Sequence, residues 1–144
     1  MKEFKKLDFI EIVSDNNRFP LRIKELLSID ENDLMNALQN SPTMYGYIAV
    51  LRAKLVRNLS DLELKYKREY SEKYILLKED PNWDKNPTEK HLESLLLMDD
   101  ALISLKKSII SLTESINIIE GLLEGLKQKT ILMQTLSANL RNIN

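Results

Sequence analysis

The chain has 144 residues, room for one domain with a modest core, and its 21 basic and 22 acidic side chains leave a net charge of −1, so no global field steers a partner. It has no cysteine, which excludes disulfides, thiolate metal sites and thiol catalysis and suits a reducing cytoplasm. No apolar run approaches the ~18 residues needed to span a bilayer, and no long apolar stretch follows the start Met1–Lys6, so neither a membrane anchor nor an export signal is expected.

Residues 1–19 mix apolar and polar side chains without clear periodicity, and Asn16, Asn17 and Pro20 mark a break. A short helix is expected from Pro20 to Leu27. Asp30 reads as the cap of a second short helix reaching about Gln39, with Leu34 and Leu38 on its inner face. Asn40, Ser41 and Pro42 end it, and Pro42 suits the first turn of the next helix. That helix runs to about Lys78 on an apolar stripe of Met44, Ile48, Leu51, Leu55, Leu59, Leu62, Tyr66, Tyr70 and Leu77. A polar loop from Asp80 to Asn86 follows, with Trp83 packing over the helix end. Asn86 then caps a helix with Pro87 at its first position and Glu89 at its third. Met98 to Ala101 is a plausible kink, where Asp99 or Asp100 would cap a fresh helix continuing to about Arg141.

That last helix carries Leu102, Leu105, Ile109, Leu112, Ile116, Ile119, Leu123, Leu126, Thr130, Met133, Ser137 and Leu140 at alternating spacings of three and four. The repeat of 3.5 residues is that of a supercoiled seam. A seam this long in a small chain predicts self-association, and Leu and Ile mixed at both seam positions lean above a dimer. The same pattern is compatible with packing on the Pro42–Lys78 helix within one chain. The expected fold is therefore all-α: short helices over 1–41, then one helical core over 42–144, a long antiparallel hairpin whose heptad-patterned last helix self-associates.

Catalytic signals are mostly negative. His91 is the sole histidine, with no glutamate three residues before it, so helix-borne zinc and di-iron patterns are missing. There is no Gly-rich phosphate loop and no nucleophile elbow. Gly121 and Gly125, four apart, read as close helix packing. Neither an enzyme nor a cofactor is expected.

Charge is uneven along the chain. Residues 41–79 carry 8 basic and 5 acidic side chains and form the one positive segment. Lys54, Arg57, Lys65 and Arg68 share a helix face interrupted by Asp61 and Glu72, away from the apolar stripe. Tyr66 and Tyr70 lie one turn apart beside them. Cations with neighbouring aromatics suit single-stranded nucleic acid, because charges track phosphates and rings stack on bases. The competing reading is a solvated face in which Asp61 and Glu69 pair with Lys65 and the tyrosines sit at the core edge.

Two strings carry a resemblance. Leu64-Lys65-Tyr66-Lys67-Arg68-Glu69-Tyr70 lies late in the first long helix, and Gly121-Leu122-Leu123-Glu124-Gly125-Leu126-Lys127-Gln128-Lys129 lies in the last. In this order and at similar depth they resemble the phage recombination mediator family typified by UvsY, with a looser match from about Ile29 to Arg141. The resemblance implies a helical homo-oligomer, ring-like and joined through its C-terminal region. It would bind single-stranded DNA, loosen a single-strand-binding protein and help a recombinase filament nucleate, in a host cytoplasm if phage-encoded. It also implies that Lys65 and Lys67 contact DNA. The second of these is Lys where the pattern has Arg, and residues before Ile29 have no clear counterpart. Lys65 and Lys67 are two apart and point to nearly opposite sides of a continuous helix, so geometry favours Lys65 with Arg68. Two other classes fit the residues: a coiled-coil adaptor or scaffold with no nucleic-acid role, and a small regulator docking one protein through residues 1–40.

Overall fold

The computed structural model describes residues 7–143, so the stretch Met1–Lys6, on which the expectation of no export signal rests, lies outside the described residues. Strands β1 (Phe9–Ser14) and β2 (Asn17–Arg22) come first, followed by helix α1 (Ile23–Leu27) and a single 3-10 turn (Glu31–Asp33). Then come the long helix α2 (Leu34–Lys78), the short α3 (Glu89–Leu97) and the long α4 (Asp100–Ile143). Two compact units divide them: described residues up to Leu55 together with those from Ser115 onward, and Val56–Glu114. Among the described residues no helix is long and apolar enough to cross a membrane.

The amino-terminal segment departs from the expected short helices. β1 and β2 form an antiparallel hairpin in the register Ile10↔Leu21, Ile12↔Phe19 and Ser14↔Asn17, so Pro20 and Leu21 are strand, not helix. Asp15 and Asn16, at φ 50 and 63, both sit in the left-handed region that a two-residue hairpin turn of the I′ type demands. Ile12, Ser14 and Leu21 are buried, whereas Phe9, Glu11, Val13 and Arg18 are exposed, the period-two alternation of a half-covered sheet. Asp8 ties the hairpin to α1: its carbonyl accepts from the Ile23 amide at 2.8 Å and its carboxylate from the Lys24 amide at 2.7 Å. The other end of α1 meets Lys129, whose Nζ donates to the Leu26 carbonyl at 2.9 Å, a cation at a helix C-terminus. Gly125 is where Leu27 approaches α4, since a Cβ there would lie 2.9 Å from the Leu27 side chain. Among the described residues a Cβ at Gly121 would meet nothing within 4 Å, so among them the close-packing reading holds at Gly125 and not at Gly121.

A second departure is at Pro42. Asp30 does cap as expected, its carboxylate accepting from the Asn32 amide at 3.0 Å. The helix that follows does not stop at Asn40; α2 runs unbroken through Pro42 to Lys78. The expected boundary between 41 and 42 therefore falls inside a helix. Local preference argues for a break, because proline removes an amide donor and clashes with the preceding turn at about 3 kcal/mol. Tertiary packing outweighs it: Leu34 and Ser41 are buried, and the Ser41 hydroxyl meets the Thr130 hydroxyl of α4 at 2.5 Å. Pro42→Ala restores the missing donor, and thermal unfolding should report a gain of about 2 kcal/mol.

Within the first unit α2 and α4 run antiparallel, as Ser41–Thr130 and Arg52–Glu120 show, the latter an ion pair at 2.7 Å. Both its side chains are close to half exposed, so it orients more than it stabilises. The core of this unit joins Ile48, Leu51 and Leu55 of α2 with Ile116, Ile119, Leu122, Leu123, Leu126 and Met133 of α4. Met44, placed on the same stripe by spacing, is exposed. In the second unit Leu92, Leu96 and Leu102 are buried, and Leu59, Leu62, Leu105, Ile109 and Leu112 are half-buried. All eight leading positions of the heptad track are thus buried or half-buried inside a single chain.

Helix ends in the second unit follow capping chemistry with one shift. Thr88, not Asn86, caps α3, its hydroxyl accepting from the His91 amide at 3.2 Å. Trp83 packs near the end of α2, donating from Nε1 to the Leu77 carbonyl at 2.5 Å, with its ring edge-on to His91. Asp99 starts α4: one carboxylate oxygen accepts from the Leu102 amide at 3.0 Å and from Lys73 Nζ at 2.6 Å. The Lys73 hydrogen bond first, and the Leu102 amide second, hold the Asp99 carboxyl below its ordinary range. A depressed folded value means this contribution is complete above about pH 4 and lost as pH falls through the lowered value. Asp99→Asn should therefore lower the melting temperature at neutral pH and flatten the acid limb of a stability–pH profile.

Candidate nucleic-acid interface

Five cations anticipated as DNA contacts lie on α2, whose helix is continuous through all of them. Lys54 is exposed in the first unit; Arg57, Lys65, Lys67 and Arg68 are exposed in the second. None makes an ion pair with a described residue, so the pairing of Lys65 with Asp61 or Glu69 does not form. Unpaired cations on an exposed helix keep their hydration and rotamer freedom, and an incoming phosphate displaces solvent rather than a carboxylate. Lys65 and Lys67 are about 200° apart on the unbroken helix, whereas Arg57, Lys65 and Arg68 fall within one outward arc.

The tyrosines fare differently. Tyr66 and Tyr70 are half-buried, with ring centroids 6.2 Å apart and planes tilted by 33°. Lys106 of α4 stands over the Tyr66 ring, its Nζ 5.1 Å from the centroid. A base stacking there would have to displace that ammonium group. Burial, and then the Glu93 carboxylate, push the Tyr70 hydroxyl up, so it remains a neutral hydrogen-bonding group at physiological pH. Both rings serve the edge of the second unit's core.

Lys106 is the residue that sequence reasoning passed over. It is exposed and brings a cation from α4 to Tyr66 on α2, antiparallel as in the Lys73–Asp99 pair. Its neighbour Lys107 was visible as a basic pair, but placing Lys106 beside α2 needs the register between two helices 40 residues apart in the chain. Among the described residues no group of three or more His, Cys, Asp or Glu is placed to hold a metal ion.

Solved structures now bear on this geometry. Three crystal forms of the bacteriophage T4 recombination mediator protein UvsY superimpose on 84% of this chain. The lattice type IV form has TM-score 0.71 and 12% identity over 91% of its own length. The type I form has 0.70 and 14% over 94%, and the type II form 0.70 and 13% over 90%. This chain has the UvsY fold. No protein-family model matches the sequence, and no curated protein matches it significantly. At 12–14% identity the likeness to UvsY is one of backbone arrangement, and what the side chains do is argued from this chain's own residues.

Proposed function

We propose that this protein is a recombination mediator: a homo-oligomer that holds single-stranded DNA, helps displace a single-strand-binding protein and loads a recombinase. The observation that carries the reading is the set of exposed cations on α2, unpaired with any described residue, on a UvsY fold. Arg57, Lys65 and Arg68 grip phosphates along one arc of the second unit, where Lys106 supplies further charge, and Lys54 offers a contact of its own on the first. Lys67, implied by the resemblance, reaches a strand only where it crosses to the other flank of the helix. Tyr66 and Tyr70 shape the helix edge that presents these cations.

A single subunit offers three or four phosphate contacts, a weak grip at physiological salt. Repetition of the site across copies raises effective concentration and makes the complex durable. The eight track residues from Leu102 to Leu126 pack within each chain, five of them buried and three half-buried. Copies then meet through side chains this packing leaves outside, Ile131, Leu132 and Ile143 with Met35 of α2, all more than half exposed. Light scattering should find an assembly above a dimer at micromolar protein; a monomer both with and without oligonucleotide removes the avidity mechanism. For the function itself, DNA coated with single-strand-binding protein is offered to a phage recombinase with and without this chain. Faster filament growth is expected, and an unchanged lag leaves the adaptor reading in its place.

A further inference from the structure

The hairpin has two outer edges, and they are not equivalent. The bond from the Ile23 amide to the Asp8 carbonyl extends the β1–β2 ladder and sets its phase. Asp8, Ile10, Ile12 and Ser14 turn their backbone groups toward β2, so those of Phe9, Glu11 and Val13 point away from it. On β2 the corresponding outward position opposite Glu11 is Pro20, which has no amide to offer and blocks strand addition there. On β1 nothing comparable stands in the way. The sheet has two strands, so the β1 edge has no strand partner among the described residues. Phe9 and Val13 are 53% and 55% exposed on the same side as Glu11.

We propose that the β1 edge is a docking site for an extended segment of another protein, added antiparallel as a third strand and reading apolar, basic, apolar at alternate positions. The backbone groups of Glu11 and Val13 would supply main-chain hydrogen bonds, Phe9 and Val13 would cover the two apolar side chains, and the Glu11 carboxylate would face the cation. Arg18 reaches Glu11 through one oxygen, Oε1 at 3.2 Å, and the other has no described partner. Charge also argues against a second copy in this role. Pairing two β1 strands so that Phe9 faces Val13 places Glu11 directly opposite Glu11, a destabilising like-charge pair. The neighbouring registers set Glu11 against Phe9 or Val13 instead.

The test uses the full chain and a blocked, dye-labelled peptide, Thr-Val-Thr-Lys-Thr-Val-Thr, followed by fluorescence anisotropy. Saturable binding is expected, lost when the peptide is N-methylated on the amides that face β1. Glu11→Lys should weaken binding about fivefold, and the same peptide with Glu for Lys should recover that loss on the variant. Val13→Pro, which copies the block already present on β2, should abolish binding while circular dichroism stays unchanged. Equal binding of the N-methylated peptide, no binding at millimolar peptide, or cross-strand nuclear Overhauser contacts between two β1 strands in the protein alone would each overturn the proposal.

Discussion

Ile119→Ala should lower the stability of the chain by about 3 kcal/mol, with a melting temperature roughly 10 °C lower, and by the same amount at every protein concentration. Ile119 is 0% exposed inside the first unit, so truncation leaves a cavity its neighbours fill only in part. Concentration independence is the informative half of the result. A track that met its partners only in neighbouring chains would give a loss that grows with protein concentration, from little where the chains are apart to its full size where they are assembled, because association adds a mass-action term to stability. Ile143→Ala is the control: that side chain is 80% exposed, and its loss should change unfolding by less than about 0.5 kcal/mol while reducing the assembled mass.

Replacing Arg57, Lys65 and Arg68 together with alanine should weaken binding of single-stranded DNA about tenfold or more at physiological salt, and reduce the log–log salt slope by about 2, at 0.7 per lost phosphate contact. All three are exposed and unpaired with any described residue, so melting temperature and assembled mass should not move. Lys67→Ala separates the two accounts of the contact set. On an unbroken α2 it sits on the opposite flank from Lys65, and a strand lying along the Arg57–Arg68 arc should lose little when it is removed. A loss as large as that of Lys65→Ala would mean the strand crosses the helix.

Features set by local chemistry were legible in the sequence. The end of α2 at Lys78, the caps at Asp30 and Asp99 and the core residues Ile48, Leu51 and Leu55 follow from side chains acting on adjacent backbone or from a 3.6-residue period. The hairpin was missed because its strands are short. Asp15–Asn16 is a weaker turn signal than Asn-Gly, and the alternation Ile10, Ile12, Ser14 is interrupted in sequence by the apolar Val13 and Phe9. Pro42 misled for the opposite reason: its local signal is strong, and distant packing around Ser41 and Thr130 overrides it. The heptad track announced burial correctly but not against what, since a 3.5-residue repeat describes one helix and is silent on whose helix fills its grooves. The cationic arc was legible as a pattern. That its members are free of Asp61 and Glu69, and that Lys106 covers Tyr66, depended on rotamers and on inter-helix register.

The most direct measurement is the affinity of the unmodified protein for a labelled single-stranded oligonucleotide across about 50 to 200 mM salt. A grip built from several phosphate contacts should weaken steeply, with a log–log slope of about −2 or more negative. An affinity that stays flat over that range, or the lack of any binding at micromolar protein, contradicts the account.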